Sequence, residues 1–339
     1  MSEEKSISRP PTQREIVTDK LFRGLTYLFA WLTVLLVLYI VVEIGGKAVP
    51  AIKGYGLGFL TGRVWDPNKE VYGILPHIWG TLYSSVLALI IGTVFGLAVA
   101  VFLSERFLSL AVYAILKMFK VQSHPFWGGL PDKLEDMLKN LIELLAAIPS
   151  VVYGLWGIFV VIPLLLPACK WLHGHLEGVP FFSTALSGKG MLPAALVLAI
   201  MILPTISAIS RDALTSVPPK LREAAYGLGA TRWEVILGVI IPTAQTGIVG
   251  SVLLAFGRAL GETMALAMLV GNKDTISWSV FAPANTLAAL LANNFPEADK
   301  FQVGLLMYAA LVLMAITLAV NMIGALILQR AAATTGGGR

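Results

Sequence analysis

The chain has 339 residues, of which 57% are apolar and 13% are charged, and its mean hydropathy is +0.78. Soluble globular domains carry about 25% charged residues, so this composition excludes such a domain and indicates an integral membrane protein. The formal net charge of +5 comes from basic residues spread over the loops, which argues against a nucleic-acid-binding surface. Cys169 is the only cysteine, which excludes an intrachain disulfide.

Six apolar stretches are long enough to cross a hydrocarbon core as helices, which takes roughly 20 residues each. They predict an all-α, polytopic membrane domain over residues 25–330, between tails at 1–24 and 331–339. The predicted spans are 25–44, 78–103, 141–166, 191–209, 244–270 and 303–328. The first is longer than the core of a typical secretory signal and lacks a good cleavage site, so we expect it to remain in the protein.

The Lys and Arg residues predict the orientation of these spans, because such residues accumulate on the cytoplasmic side. With the N-terminus in the cytoplasm, the inner segments hold about twice as many of them as the outer loops. We therefore expect both termini in the cytoplasm. The connection at 104–140 is then cytoplasmic, and its apolar segment 108–119 suits an interfacial hairpin. The outer segment 272–302 suits a folded cap and a plain connector equally.

A polar segment at 223–242 separates the fourth and fifth spans. We expect a short helix over 221–228 with Glu223 in its first turn, where a carboxylate suits the helix dipole. Glycines then bend the chain, and Thr231 with Glu234 forms a capping box that starts a second helix. Ala224 and Ala225 keep one side small, so another surface can approach closely. An ordinary amphipathic loop fits these physical features equally well.

Two ionisable residues fall within the predicted fifth span, where they are costly unless they face a cavity or a partner. Arg258 is expected near the middle of the span, and Glu262 one turn further on the same helix face, so that the two can pair. They are either a structural ion pair or part of a path for an anion. In the second case Arg258 binds a passing oxyanion and Glu262 balances its charge in the empty site.

Other features of the sequence narrow the function. No G-x4-G-K-[ST] motif occurs, so ATP hydrolysis would require another chain. His173 and His175 lack nearby partners of metal-ligand type, and we read them as polar loop residues. Two function classes remain, a permease driven by a separate ATPase and a self-sufficient anion transporter or channel. An inverted repeat would favour the second class, and we find no convincing one.

The polar segment also carries a recognisable motif, Glu223-Ala224-Ala225-x3-Gly229-x9-Val239-x-Ile241-Pro242. It resembles the cytoplasmic loop motif of ATP-binding-cassette importer permeases, with Val-x-Ile-Pro in place of the usual Ile-x-Leu-Pro. The resemblance implies the type I importer (MetI-like) architecture and a coupling loop at 211–243 that docks on an ATPase. The implied docking residues are Glu223, Ala224, Ala225, Gly229 and Pro242.

A second resemblance narrows the cargo. The sequence Phe-Gly-Arg-Ala-Leu-Gly-Glu-Thr-Met-Ala at 256–265 is similar to the fifth-span signature of phosphate-specific permeases, and its ending favours the PstC-type over the PstA-type subunit. Segments at 65–67, 73–76, 146–154 and 283–286 agree with it.

That resemblance implies a non-catalytic permease for inorganic phosphate in a bacterial plasma (inner) membrane, with Arg258 and Glu262 in the translocation path. Its implied partners are a PstA-type permease subunit, two copies of a PstB-type ATPase, an external phosphate-binding protein and membrane lipid. It implies no cofactor, no metal and no nucleic acid.

Overall fold

The structure, a computed structural model, describes residues 12–118 and 130–336. Apart from one short hairpin, the regular structure in those residues is helical, which confirms the predicted all-α class. In chain order the elements are α1 (Gln13–Tyr55), α2 (Gly58–Thr61), β1 (Trp65–Asp66), β2 (Val71–Tyr72), α3 (Leu75–Ser104), α4 (Phe107–Met118), α5 (Leu130–Leu145), α6 (Ser150–Leu176), α7 (Met191–Thr215), α8 (Pro219–Gly227), α9 (Arg232–Leu260), α10 (Met264–Leu269), α11 (Leu287–Asn294) and α12 (Lys300–Gly336).

Six of these helices, α1, α3, α6, α7, α9 and α12, are long and apolar enough to cross a membrane. Their ends differ from the predicted limits where local chemistry starts or stops a helix. A capping box between Thr12 and Glu15 starts α1 well before residue 25. The predicted third span begins at residue 141, whereas α6 begins at Ser150, because α5 ends at Leu145 and Pro149 restricts the residue before it.

The helix α7 lies at the centre of the bundle and α1 at its edge. In α7, 61% of the apolar window is buried inside the chain, against 0% in α1. Two glycines of α3 let α7 approach closely: a methyl group at Gly92 would lie 2.9 Å from Ile202, and one at Gly96 2.8 Å from Ile206. The apolar surface of α1 is therefore left for lipid or for another chain.

The segment that follows α10 is folded instead of forming a plain connector. The buried residues Leu287 and Leu290 of α11 belong to an apolar cluster that also includes Phe59 and Tyr72. Backbone contact is so close that a methyl group at Gly80 would lie 1.9 Å from the carbonyl oxygen of Asn285. This segment therefore packs directly on the first turns of α3.

The helices α4 and α5 contact each other, and the hydroxyl of Ser109 donates a hydrogen bond to the carboxylate of Glu135. The turn of the predicted interfacial hairpin falls on residues 119–129, outside the described residues. The two helices on either side of it are thus neighbours in space as well as in sequence.

Candidate functional site

The polar segment between α7 and α9 forms a helix, a bend and the start of a second helix, as the sequence predicts. The bend lies at Gly229, whose φ is +87°. After it, the backbone N–H of Thr231 donates to Glu234 Oε2 at 2.7 Å, and the hydroxyl of Thr231 accepts from the N–H of Glu234. This capping box is confirmed, and α9 begins at Arg232.

The predicted position of Glu223 in the first turn of its helix is wrong. The helix α8 begins at Pro219, earlier than expected, because proline is well suited to the first helical position. Glu223 therefore lies in the second turn, and the helix has no acidic residue in its first turn. Its carboxylate is too far along the helix to act mainly on the exposed N–H groups at the start.

The surface of α8 is unusually open. None of its residues is buried, and Leu228, directly after it, is 90% exposed. Glu223 and Ala224 are exposed, whereas Ala225 packs inward against an apolar cluster that includes Val235 and Ile236. Tyr226 and Trp233 are exposed too, and a group of exposed apolar side chains is typical of a surface that binds another protein. We call residues 219–235 the two-helix element.

The five docking residues that the motif implies have different environments. Glu223, Ala224 and Gly229 form its exposed side, and Ala225 fixes it to the body of the chain. Pro242 lies further along, in α9, just after a π-helical turn at Ile236–Ile240. That wider turn precedes the proline, which cannot donate the usual backbone hydrogen bond.

A residue that sequence reasoning missed holds the two-helix element in place. The side chain of Glu105, which follows α3, is only 8% exposed, and its Oε1 lies 2.7 Å from Nη1 of Arg222. Arg232 donates to the backbone carbonyl of Glu105 as well. The sequence offers one indication of this role, since Glu105 is a single acidic residue at the end of a long apolar span. That position does not indicate which residue it contacts.

The expected pairing of Arg258 with Glu262 is wrong. The helix α9 ends at Leu260, so Arg258 lies in its last turn and Glu262 lies outside it, beyond Gly261. In the described residues no ion pair joins them; Glu262 Oε1 accepts instead from the backbone N–H of Ala265, 3.3 Å away. The spacing of four residues places two side chains on one face only where the helix continues.

Arg258 lines a cavity of about 410 Å³ between three of the long helices. Its Nη1 lies 3.4 Å from the hydroxyl of Thr205 in α7. Thr317 and Asn321 of α12 line the same cavity, and Gly257 allows Asn321 to come close, since a methyl group there would lie 3.2 Å from Asn321 Oδ1. We call this cavity the Arg258 pocket.

The chemistry of the Arg258 pocket suits an oxyanion. The guanidinium of Arg258 carries five N–H donors in a planar fork, and Asn321 and Thr205 add further donors. The hydroxyl of Thr317 already donates to the carbonyl of Leu313, so it offers only lone pairs. Polar side chains within membrane-crossing helices are costly, and such a group of them indicates a path or a binding site.

A further polar contact joins the segment that follows α10 to α3. Nε2 of the fully buried His77 lies 3.0 Å from Oδ1 of Asp274, and Asn285 donates to the same oxygen at 3.4 Å. Burial acts to raise the pKa of Asp274, but the hydrogen bond and charge of His77, with the bond from Asn285, outweigh it and lower that pKa. The contact between Asp274 and His77 therefore stabilises the packing of this segment against the start of α3.

His173 and His175 lie in the last turn of α6, so the prediction that they are loop residues is wrong. Nδ1 of His173 lies 2.7 Å from the carbonyl oxygen of Phe182, and Nδ1 of His175 lies 2.8 Å from that of Trp171. Residues 12–118 and 130–336 hold no group of three or more His, Cys, Asp or Glu that could bind a metal ion.

Comparison with known proteins gives a consistent result. Residues 126–333 match the family described as binding-protein-dependent transport system inner membrane component. The phosphate transport system permease protein PstC of Haemophilus influenzae is 39% identical over 323 residues, which are 94% of this chain and 95% of that protein. The protein of the same name from Mesorhizobium japonicum is 37% identical, over 97% of this chain and 96% of its own length.

The fold also has solved counterparts. A chain of a bacterial alginate ABC transporter, solved in complex with an alginate pentasaccharide-bound periplasmic protein, superposes with a TM-score of 0.54. The match covers 91% of this chain and 94% of that chain at 14% identity. At this identity the likeness concerns the fold alone.

Proposed function

The chain belongs to the family of binding-protein-dependent transport system inner membrane components, and we propose that it is the transmembrane permease subunit of an ATP-driven phosphate importer. Relatives named as phosphate permeases match it over nearly its whole length, and this supports phosphate as the cargo. The observation that carries the proposal within the chain is the Arg258 pocket, a group of hydrogen-bond donors between membrane-crossing helices.

In the proposed mechanism the chain alternates between outward and inward access. An external phosphate-binding protein delivers phosphate, and closure of an ATPase dimer moves the two-helix element. The long helices then reorient and release phosphate inside. The chain itself hydrolyses no ATP. We propose a PstA-type permease as its partner in a heterodimer, with two copies of a PstB-type ATPase.

The proposed orientation follows from the distribution of basic residues, with both termini in the cytoplasm of a bacterial cell and the membrane domain over 25–330. The two-helix element, within the coupling loop at 211–243, then faces the ATPase. Glu223, Ala224 and Gly229 supply its docking side, and the exposed Leu228 adds an apolar contact. Ala225 and Pro242 serve the same docking by holding the element in place.

Arg258 binds phosphate transiently in this proposal. Thr205 and Asn321 complete the donor set around it. Glu262 lies just beyond the end of the same helix. We propose that the carboxylate of Glu262 stays in the path and limits how tightly phosphate binds, because the two negative charges repel each other.

The test is phosphate uptake by vesicles that contain the chain with its partner permease, the ATPase and the external binding protein. Arg258→Ala should lower ATP-dependent uptake by about 10- to 100-fold, because a hydrogen bond to a charged group is worth about 1.5–3 kcal/mol. Arg258→Lys, which keeps the charge without the planar fork, should give an intermediate rate. Arg63→Ala, at an exposed position in an outer loop, is the matched control and should leave uptake unchanged.

Wild-type uptake by Arg258→Ala would contradict the role of the Arg258 pocket. Uptake that proceeds without the ATPase would instead favour the self-sufficient anion transporter. Copurification of the ATPase with every variant shows that a loss of uptake does not come from a loss of assembly.

A further inference from the structure

We propose that Glu105 connects the two-helix element mechanically to α3, the second long helix, so that the two move together. We call the contacts of Glu105 with Arg222 and Arg232 the joint. The inference rests on the proposed function, because it concerns how motion of that element reaches the membrane. Glu105 is a positioning residue in this scheme: it touches neither phosphate nor ATP, and acts through the arginines it holds.

The first observation is that the carboxylate is withdrawn from solvent. Its side chain is 8% exposed, at the end of an apolar helix of 30 residues. A carboxylate in such a place is costly unless it is paired and hydrogen-bonded. Removing the arginines that contact Glu105 would leave a nearly buried, unpaired charge. The ion pair therefore stabilises the local fold.

The second observation is that the partners come from both sides of the glycine bend. Arg222, in α8, donates from Nη1 to Glu105 at 2.7 Å. Arg232, the first residue of α9, has its Nη2 at 3.9 Å from Oε2 of Glu105 and also donates to the backbone carbonyl of Glu105. One residue therefore joins both helices of the element to the end of α3.

Neighbouring contacts make this joint stiff. The second terminal nitrogen of Arg222 donates to the carbonyl of Leu214, near the end of α7, at 2.8 Å. The guanidinium of Arg232 lies 4.1 Å above the ring of Phe107, at the start of α4, and that ring stacks on Trp233 at 5.5 Å. A planar guanidinium held by several partners loses little further freedom when it transmits a displacement.

The helix at the far side of the joint leads to the Arg258 pocket. Along α3, Gly92 and Gly96 bring the backbone into close contact with Ile202 and Ile206 of α7. Between those two residues on α7 lies Thr205, which lines the pocket. Tightly packed helices move as bodies, so a displacement of Glu105 displaces this wall of the pocket as well.

The experiment measures phosphate transported per ATP hydrolysed in vesicles that contain the whole transporter and its external binding protein. Glu105→Gln keeps the shape of the side chain and removes its charge. We expect this variant to copurify with the ATPase and to hydrolyse ATP, while the ratio falls at least about tenfold, the factor expected when hydrogen bonds to a charged group are weakened. Glu105→Asp, which keeps the charge at shorter reach, should give an intermediate ratio.

A double-mutant comparison separates the joint from a merely structural role. Arg222→Gln should lower the ratio to a similar extent, and the double variant should be no worse than the more damaged single variant, because both changes break the same contact. Fully additive losses would overturn the proposal. So would a wild-type ratio in Glu105→Gln, or a loss of ATPase binding in parallel with uptake.

Cross-linking tests the same idea if the charge variants fail to fold. Glu105→Cys combined with Arg222→Cys can be joined by a bifunctional thiol reagent, and the native Cys169 is buried. The double-cysteine variant lacks the charge pair, so it should transport little phosphate per ATP, and a covalent link in place of the pair should raise this ratio again. A ratio that stays low, or falls further, on cross-linking would overturn the joint.

The two proposals can fail separately. If the wild-type complex shows no ATP-dependent phosphate uptake, the proposed function fails before the joint is tested. If uptake is present and sensitive to Arg258→Ala, but Glu105→Gln keeps the wild-type ratio, only the joint is wrong.

Discussion

The bend of the two-helix element offers a sharp test of whether its shape matters for coupling. Gly229 has a φ of +87°, and no heavy atom lies within 4 Å of where a methyl group would be placed on it. Gly229→Ala therefore creates no collision. It acts only on the backbone, because an L-residue in a left-handed conformation costs roughly 1–2 kcal/mol.

The chain contains its own control two residues earlier. Gly227 is also open, with no heavy atom within 4 Å of an added methyl group, but it is the last residue of α8 and its φ is not positive. Alanine is favoured over glycine in a helix by up to about 1 kcal/mol, so Gly227→Ala should be neutral or slightly stabilising. The two variants carry the same added methyl group and differ in the backbone angle.

The expected size of the effect follows from that difference. A penalty of one or two kcal/mol shifts a conformational equilibrium by a factor of about 5–30. ATP-dependent phosphate uptake in vesicles of the whole transporter should fall within that range for Gly229→Ala and should stay near wild type for Gly227→Ala. Gly229→Asn should recover part of the loss, since asparagine tolerates the left-handed region better than alanine.

Equal uptake by Gly229→Ala and Gly227→Ala would refute the reasoning, because the backbone angle would then have no bearing on coupling. The same conclusion would follow if Gly229→Asn were no better than Gly229→Ala. The amount of chain in the membrane and the copurified ATPase are measured for each variant, so that coupling is compared at equal assembly.

Two further predictions concern the contacts between α3 and the segment that follows α10. Because the pKa of Asp274 is lowered in the folded chain, its contribution to stability is present above the unfolded pKa, near 4, and is lost as the pH falls through the lowered folded value. Thermal unfolding in detergent should thus show a lower unfolding temperature for Asp274→Asn than for the wild type at neutral pH. The unfolding temperature of the variant should also fall less as the pH is lowered. Parallel curves of unfolding temperature against pH for the two proteins would contradict this. Gly80→Ala should lower the unfolding temperature, since the methyl group would lie 1.9 Å from a backbone oxygen and overpacking costs about 1–3 kcal/mol. Gly174→Ala, with no heavy atom within 4 Å, should not lower it, and equal shifts for the two would contradict the packing argument.

Several features could be predicted from the sequence because a few neighbouring residues encode them. Long apolar stretches indicate membrane-crossing helices whatever their neighbours are. The capping box at Thr231 and Glu234 and the bend near Gly229 depend on residues within one turn, and both are present in the structure. The motif at 223–242 and the signature at 256–265 likewise lie in single short segments, and they indicated the family that the comparisons show.

Only the tertiary structure decided which side chains meet. The sequence spacing favoured a pair between Arg258 and Glu262. However, α9 ends at Leu260, and Glu262 accepts a hydrogen bond from the backbone N–H of Ala265 instead. The neighbours of Arg258 are instead Thr205 and Asn321, which come from two other helices.

The contact of Glu105 with Arg222 spans 117 positions, and no pattern near either residue indicates the other as its partner. Hydropathy and capping act over a few residues, whereas these contacts depend on how whole helices pack. The residues that determine this packing, such as the glycines of α3 against the isoleucines of α7, are distant in the chain from the polar groups they bring together.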